Sequence, residues 1–343
     1  FDHMQVVRVL GDGRRVCGLL CMNTAPGTDV HAAFTLFNSR NVIYATGGPA
    51  GMYRDSAYPN GHYGATGLAF EAGVTGKNRT EWQYGLASLH PRWNVSGTYM
   101  QALPRMISTD ENGGDAREFL FDFFHDTGEL FSKVFLKGYQ WPFDVRKVAG
   151  GSSVIDLLVY LETEKGRKVY LDYRQNPGGG AVDFASLSRE AREYLESAGA
   201  CFGAPIDRLE RMNAPAVAFY RDKGVDLRTQ PLEIALCAQH NNGGLGVDCW
   251  WQTNVEGFFA VGEVSATHGV YRPGGSALNA GQVGGTRAAR YIAARRAGDA
   301  ADTDAFLRIA GSRVEETLAM AQTLLGNAAQ AGTNGTVGVQ TLW

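Results

Sequence analysis

The chain has 343 residues, of which 44% are hydrophobic and 20% charged, with a formal net charge of −3. That apolar fraction with so little net charge excludes a mainly disordered chain. The balance of 32 Lys and Arg against 35 Asp and Glu excludes a general nucleic-acid footprint. No run approaches the roughly 20 apolar residues of a membrane-spanning helix, and at roughly 100–200 residues per domain the length accommodates two or three domains.

In chain order, apolar runs at 6–10 and 16–22 flank Gly11-Asp12-Gly13 and predict a β-hairpin. A third strand is predicted at 41–45, and a short helix at 67–72. The more polar stretch 86–230 predicts helices near 118–133 and 184–197 and a strand near 169–173. Residues 231–295 return to glycine-rich strand–loop–helix patterning, with a helix at 281–294. A last helix is predicted at 304–325, where Phe306, Ile309, Val314, Leu318, Ala321 and Leu325 recur at helical spacing. A meander that starts without a lead-in predicts a preceding segment. A long amphipathic helix followed only by a Gly/Asn/Thr stretch to Trp343 predicts a following one.

Five cysteines (Cys17, Cys21, Cys201, Cys237 and Cys249) include no CxxC pair and are too scattered for a disulfide scaffold. They predict a reducing, cytoplasmic setting, with Cys17 and Cys21 as buried small residues. The opening FDHMQVVRVL has neither the basic segment nor the apolar run of a signal peptide, so none is expected there. Asn-x-Ser/Thr sequons occur at Asn78, Asn94 and Asn334. The sequence suggests no metal-ligand set.

Four motifs carry possible chemistry. NVIYATGG at 41–48 runs a strand into glycines, which suits either tight packing or close approach to a ligand. GFFAVGE at 257–263 ends an apolar strand in Gly262 and Glu263, a charged strand end or a carboxylate placed for a hydroxyl. In HGVYRPGGSALN at 268–279, His268 and Arg272 precede a glycine loop that opens a helix. Backbone N–H groups, a cation and an imidazole there can hold a carboxylate and move protons. QHNNGGL at 239–245 is either a satisfied polar turn or part of a site.

Taken in this order, ATGG, HNNGG, FAVGE and HGxxRxGGxxL resemble the motifs ATGG, HxxMGG, LxAxGE and HGxxRxGxxSL of the fumarate reductase and succinate dehydrogenase flavoprotein subunits. Relatives of that family include L-aspartate oxidase and 3-ketosteroid dehydrogenases. The resemblance spans about residues 1–295. It implies an α/β fold: a Rossmann-like, partial FAD-binding domain at 1–96 and 231–297, interrupted by an α+β capping domain at 97–230, with a C-terminal helical region beginning at 298–343. It implies FAD as cofactor, with Thr46, Gly47 and Gly48 bordering the dinucleotide. Gly262 and Glu263 would lie at the ribityl chain, and Gly275, Ser276, Ala277 and Leu278 near the flavin ring. His240, His268 and Arg272 match positions that bind substrate carboxylates beside flavin N5, which implies hydride transfer with a small-molecule substrate.

The family's GxGxxG fingerprint and flavin-linking His segment are absent, so the early part of the FAD domain is expected from a complementing N-terminal segment. Without it, this chain alone is expected to hold FAD weakly. Aligned on VYLD at 169–172, Gly151 falls near the family's proton-donor Arg, and Arg146 is either its substitute or a surface side chain. The family's EFVQFHPTG becomes EWQYGLAS from Glu81, which weighs against fumarate or succinate as substrate. Two readings follow: an FAD-dependent oxidoreductase with an electron-transfer partner, or a non-catalytic flavin-holding or electron-transfer portion of a larger complex.

Overall fold

The Asp12 carboxylate shapes the first turn. Its Oδ1 accepts hydrogen bonds from the backbone of Arg14 at 2.9 Å and Arg15 at 2.7 Å. Gly13 takes φ 83°, a conformation that costs glycine little. The turn joins β1 (Met4–Gly11) to β2 (Val16–Asn23), and β3 (Phe34–Asn38) completes an antiparallel three-stranded sheet. Then come β4 (Val42–Tyr44), α1 (Thr66–Glu71) and β5 (Gly76–Lys77). A long middle stretch holds β6 (Trp82–Leu89), β7 (Arg92–Asn94), α2 (Thr98–Gln101), β8 (Arg105–Thr109) and α3 (Thr127–Leu136). It continues through α4 (Ser153–Glu164), β9 (Lys168–Asp172), α5 (Arg189–Ser197), α6 (Pro205–Asp222) and β10 (Leu232–Asn241). The chain returns through β11 (Gly244–Leu245), β12 (Phe258–Ala260), α7 (Ser276–Arg295) and α8 (Thr303–Gln330). This computed structural model describes every residue except 26, 30, 31, 60, 63, 274 and 331–343. Asn334 and the Gly/Asn/Thr stretch lie outside the described residues.

Two units emerge from the packing. The first comprises Phe1–Gly48, Ala65–Thr80 and Asn242–Trp343, and the second Pro49–Gly64 and Glu81–Asn241. In the first unit, β4 and β12 pair in parallel, Val42 opposite Phe258 and Tyr44 opposite Ala260. Phe258, Phe259 and Ala260 are fully buried, as expected for a strand covered on both faces. Each Phe ring contributes roughly 1.5–3 kcal/mol by leaving water. The α8 helix lays Phe306 and Ala310 against Leu10, Cys17 and Leu20 of the meander. Cys17 and Cys21 are buried free thiols, and burial pushes both pKa values up.

The second unit is built on an antiparallel sheet in the order β7-β6-β10-β9-β8. Its core gathers Leu86, Ile234, Val169 and Leu171 from the strands with Phe131, Phe135, Ile155, Leu209 and Tyr220 from the helices. Lys137 and Asp156 are fully buried within it, Nζ to Oδ2 at 2.5 Å, and Lys137 Nζ also donates to the Gln140 carbonyl. The chain is therefore a mixed α/β protein.

Three predicted helices have different limits in the structure. The stretch 118–133 is a 3-10 turn, Phe119–Asp122, followed by α3. The break comes where Asp126 turns its carboxylate onto the Glu129 N–H at 2.8 Å and starts a new helix. Likewise Ser188 caps α5, separating it from the 3-10 turn Phe184–Ser186. The helix predicted at 281–294 begins earlier, at Ser276, because Gly275 takes φ 80° and turns the chain directly into it.

Candidate active site

Parallel pairing brings two of the glycine motifs together. Val261 N donates to Tyr44 O at 3.0 Å, so Thr46-Gly47-Gly48 and Gly262-Glu263 leave adjacent strands at the same, carboxyl end. That end is where open α/β sheets bind ligands. Gly47 and Gly262 take φ 73° and 74°, and Gly48 is buried. The start of α7 closes on the same place: a Cβ on Gly281 would lie 3.7 Å from the Gly262 Cα. Thr46, Gly47, Gly48, Gly262, Glu263 and Gly275 through Leu278 thus all belong to the first unit, on segments meeting around one strand end. Gly275 leads α7, with Ser276 and Ala277 half-buried and Leu278 exposed in its first turn.

The residues there fit a dinucleotide. Thr46 Oγ1 and Thr66 Oγ1 are buried and have no hydrogen-bond partner among the described residues. A Cβ on Gly262 or Gly275 would meet nothing within 4 Å, so the backbone there is open to close approach. Thr66 was missed at the sequence level. The ATG at its position repeats the Ala-Thr-Gly of Thr46, a signal that could have found it.

His268 and Arg272 sit in the loop between Glu263 and α7, 8% and 6% exposed, while Val270 between them is 67% exposed. Burial holds the His268 pKa below its ordinary 6.5, and the Arg272 cation lowers it further. At neutral pH this is a neutral imidazole beside a buried guanidinium, a pair able to bind an anion and exchange a hydrogen bond with it. Arg272 Nη1 donates to the Pro273 carbonyl at 3.1 Å.

The other two predicted side chains belong to the second unit. His240 is buried near the end of β10, opposite Gln83 of β6, just past a register shift at Ala238. The QHNNGGL segment is thus no simple turn: its first residues finish β10, and Gly244 and Leu245 form β11. Arg146 lies in the 3-10 turn Val145–Lys147, its side chain 65% exposed and bound to both oxygens of Asp144 at 2.9 Å. A Cβ on Gly151 would come within 2.7 Å of Gln140 Oε1 and of Lys147 Cβ.

Comparison with known proteins gives the family and the fold. The family described as FAD binding domain matches residues 1–278. A fumarate reductase (CoM/CoB) subunit from Methanothermobacter marburgensis is 34% identical over 293 residues, covering 84% of this chain and 44% of that protein. L-aspartate oxidase 2 of Ralstonia nicotianae is 24% identical over 280 residues, covering 80% of this chain and 42% of that protein. The chain spans about half the length of the curated relatives it matches. Among solved structures, a chain of the E. coli quinol fumarate reductase superposes with TM-score 0.54 at 23% identity, covering 92% of this chain and 48% of that one. Sdh1 of Mycobacterium smegmatis gives 0.57 at 19%, covering 92% and 45%. At those identities the solved structures speak for the fold. With the motifs, the strand-end geometry and the match over 1–278 in agreement, the chain belongs to the FAD binding domain family, related to the flavoprotein subunits of fumarate reductase and succinate dehydrogenase, and its cofactor is FAD.

Proposed function

We propose that this chain is part of an FAD-dependent oxidoreductase that transfers a hydride between flavin N5 and a small carboxylate- or carbonyl-bearing substrate, acting on a CH–CH group. The observation that supports this reading is the buried His268–Arg272 pair in the loop joining the Gly262-Glu263 strand end to α7. FAD, when bound, supplies a two-electron carrier that gives or takes the hydride. Thr46, Gly47, Gly48 and Gly262 offer close backbone and a hydroxyl to the dinucleotide, and Glu263 offers a carboxylate to a ribityl hydroxyl. Gly275, Ser276, Ala277 and Leu278 present the first N–H groups of α7 to the ring.

Arg272 is proposed to hold the substrate carboxylate. A buried guanidinium pairs with it strongly, draws electron density from the adjacent carbon and fixes the reacting carbon's orientation. His268, kept neutral, exchanges a hydrogen bond with the same group and leaves Arg272 the only charge the pair presents at neutral pH. An electron-transfer partner is proposed because the Methanothermobacter relative is named as one subunit of its enzyme.

The test uses the full-length, flavin-loaded protein without oxygen. Reoxidation of its reduced flavin by fumarate, or bleaching of its oxidised flavin by L-aspartate or succinate, is the expected result for one of these acids. A flavin that none of them changes removes these three acids as substrates, and one that no compound in a wider panel of small carboxylates and carbonyl compounds changes sinks the hydride-transfer reading. Gly151 favours a second reading, an electron-transfer portion without substrate chemistry, because its crowded surroundings leave no room for an arginine side chain.

A further inference from the structure

The loop carrying His268 and Arg272 is tethered at both of its exposed middle carbonyls. Asn78 Nδ2 donates to Gly269 O at 3.3 Å, and Asn242 Nδ2 donates to Val270 O at 3.0 Å. Neither asparagine is near the loop in sequence. Asn78 directly follows β5, Asn242 stands two residues before β11, and these strands pair, Gly244 opposite Lys77 and Leu245 opposite Gly76. A second set of bonds anchors the loop's start: Ala266 N donates to Leu245 O at 2.9 Å, and Ser265 Oγ and Thr267 Oγ1 lie 3.1 Å apart.

Gly243 makes this arrangement possible. A Cβ there would lie 1.8 Å from the Asn78 carbonyl oxygen and 2.3 Å from its carbon. The two asparagine backbones come together only because that side chain is missing. Asn78 itself takes φ 51°, a left-handed conformation that asparagine tolerates better than most residues. The residue type also suits the neighbourhood. A neutral amide donates without adding charge, whereas a lysine would repel Arg272 and an aspartate would offer no donor to a carbonyl.

We infer that Asn78 and Asn242 are positioning residues whose amides fix the loop between His268 and Arg272 and so set the spacing and facing of that pair; the inference rests on the proposed role of the pair in holding substrate. Glycine at 243 is part of the same device.

The test compares Asn78→Ala, Asn242→Ala and Asn242→Asp with the parent, each in the full-length flavin-loaded protein. Backbone hydrogen exchange across residues 268–272 should rise about tenfold in each variant, the scale of one lost hydrogen bond in a locally opening loop, while β1–β3 stay unchanged. The His268 imidazole, followed by NMR, should titrate closer to 6.5 than in the parent as its surroundings loosen. Where fumarate is turned over, KM should rise together with a fall in kcat. Exchange and His268 titration at parent values in Asn78→Ala overturn the inference, even with activity lost. Asn78 is half-buried on the surface, so this variant keeps the test available if substitutions at the buried Asn242 do not fold. A parent protein whose flavin no acid changes overturns the substrate role of the pair instead, and the exchange data then still decide the tether.

Discussion

Two pairs of ionisable side chains are buried in the protein. The first is His268 with Arg272. Because burial holds the folded pKa of His268 below 6.5, the unfolded chain binds more protons than the folded one between those values. The contribution to stability is complete above pH 6.5 and is lost as pH falls through the folded value. Urea unfolding from pH 7.5 down to 5 should show this slope, and His268→Gln should flatten it. For turnover, Arg272→Gln should lower kcat/KM by about 100-fold, the usual effect of removing one preorganised charge, with flavin content retained. An effect under threefold would place the substrate carboxylate elsewhere. The second pair is Lys137 with Asp156. Burial drives each toward its neutral form, lowering the Lys137 pKa and raising that of Asp156 to about 6. Lys137→Met strands a buried carboxylate and should cost about 3–5 kcal/mol, while Lys137→Met with Asp156→Leu should recover most of the loss. Denaturant midpoints of the two variants decide it.

At the scale of elements, glycine positions separate packing from propensity. In α7, a Cβ on Gly284 would lie 2.4 Å from Trp251 Nε1 and 2.6 Å from its Cε2. Gly284→Ala should therefore destabilise by about 1–3 kcal/mol through overpacking. In α8, Gly311 has nothing within 4 Å of its Cβ position, so Gly311→Ala should stabilise by up to about 1 kcal/mol from helix propensity alone. Thermal melts that shift in the same direction for both would refute the distinction. Part of the element order was legible. The hairpin around Asp12, the strands leading to Thr46 and Gly262, and the helix starting near Asp304 all follow from local patterns of period two or 3.6 and from turn residues, whereas β3, β6, β8, α4 and α6 were not legible. The breaks at Asp126 and Ser188 were not, because each depends on a carboxylate or hydroxyl choosing a cap over a continuing apolar pattern.

For the molecule as a whole, Pro49–Gly64 and Glu81–Asn241 form one unit, and Phe1–Gly48, Ala65–Thr80 and the chain from Asn242 form the other. The parallel pair β4–β12 carries the strand-end glycines, but the sequence holds no GxGxxG turn to cradle a pyrophosphate. Flavin retention on gel filtration should accordingly be weak for this chain by itself and strong for a longer polypeptide that adds a Rossmann βαβ unit. Equal retention in the two would mean that the described strand ends suffice. No helix among the described residues is long and apolar enough to cross a membrane.

By itself the sequence determined the opening hairpin, several of the strands and helices, the FAD family and the identity of the glycine-rich motifs, because each of these is written in residues close together along the chain. Tertiary structure alone decided what those motifs meet. Only the fold aligns Thr46 with Gly262 at one strand end, hangs the His268–Arg272 loop from Asn78 and Asn242, and seals Lys137 against Asp156. These contacts join residues far apart in sequence, where no periodicity or spacing carries the information, and they exist only once backbone pairing has set the register.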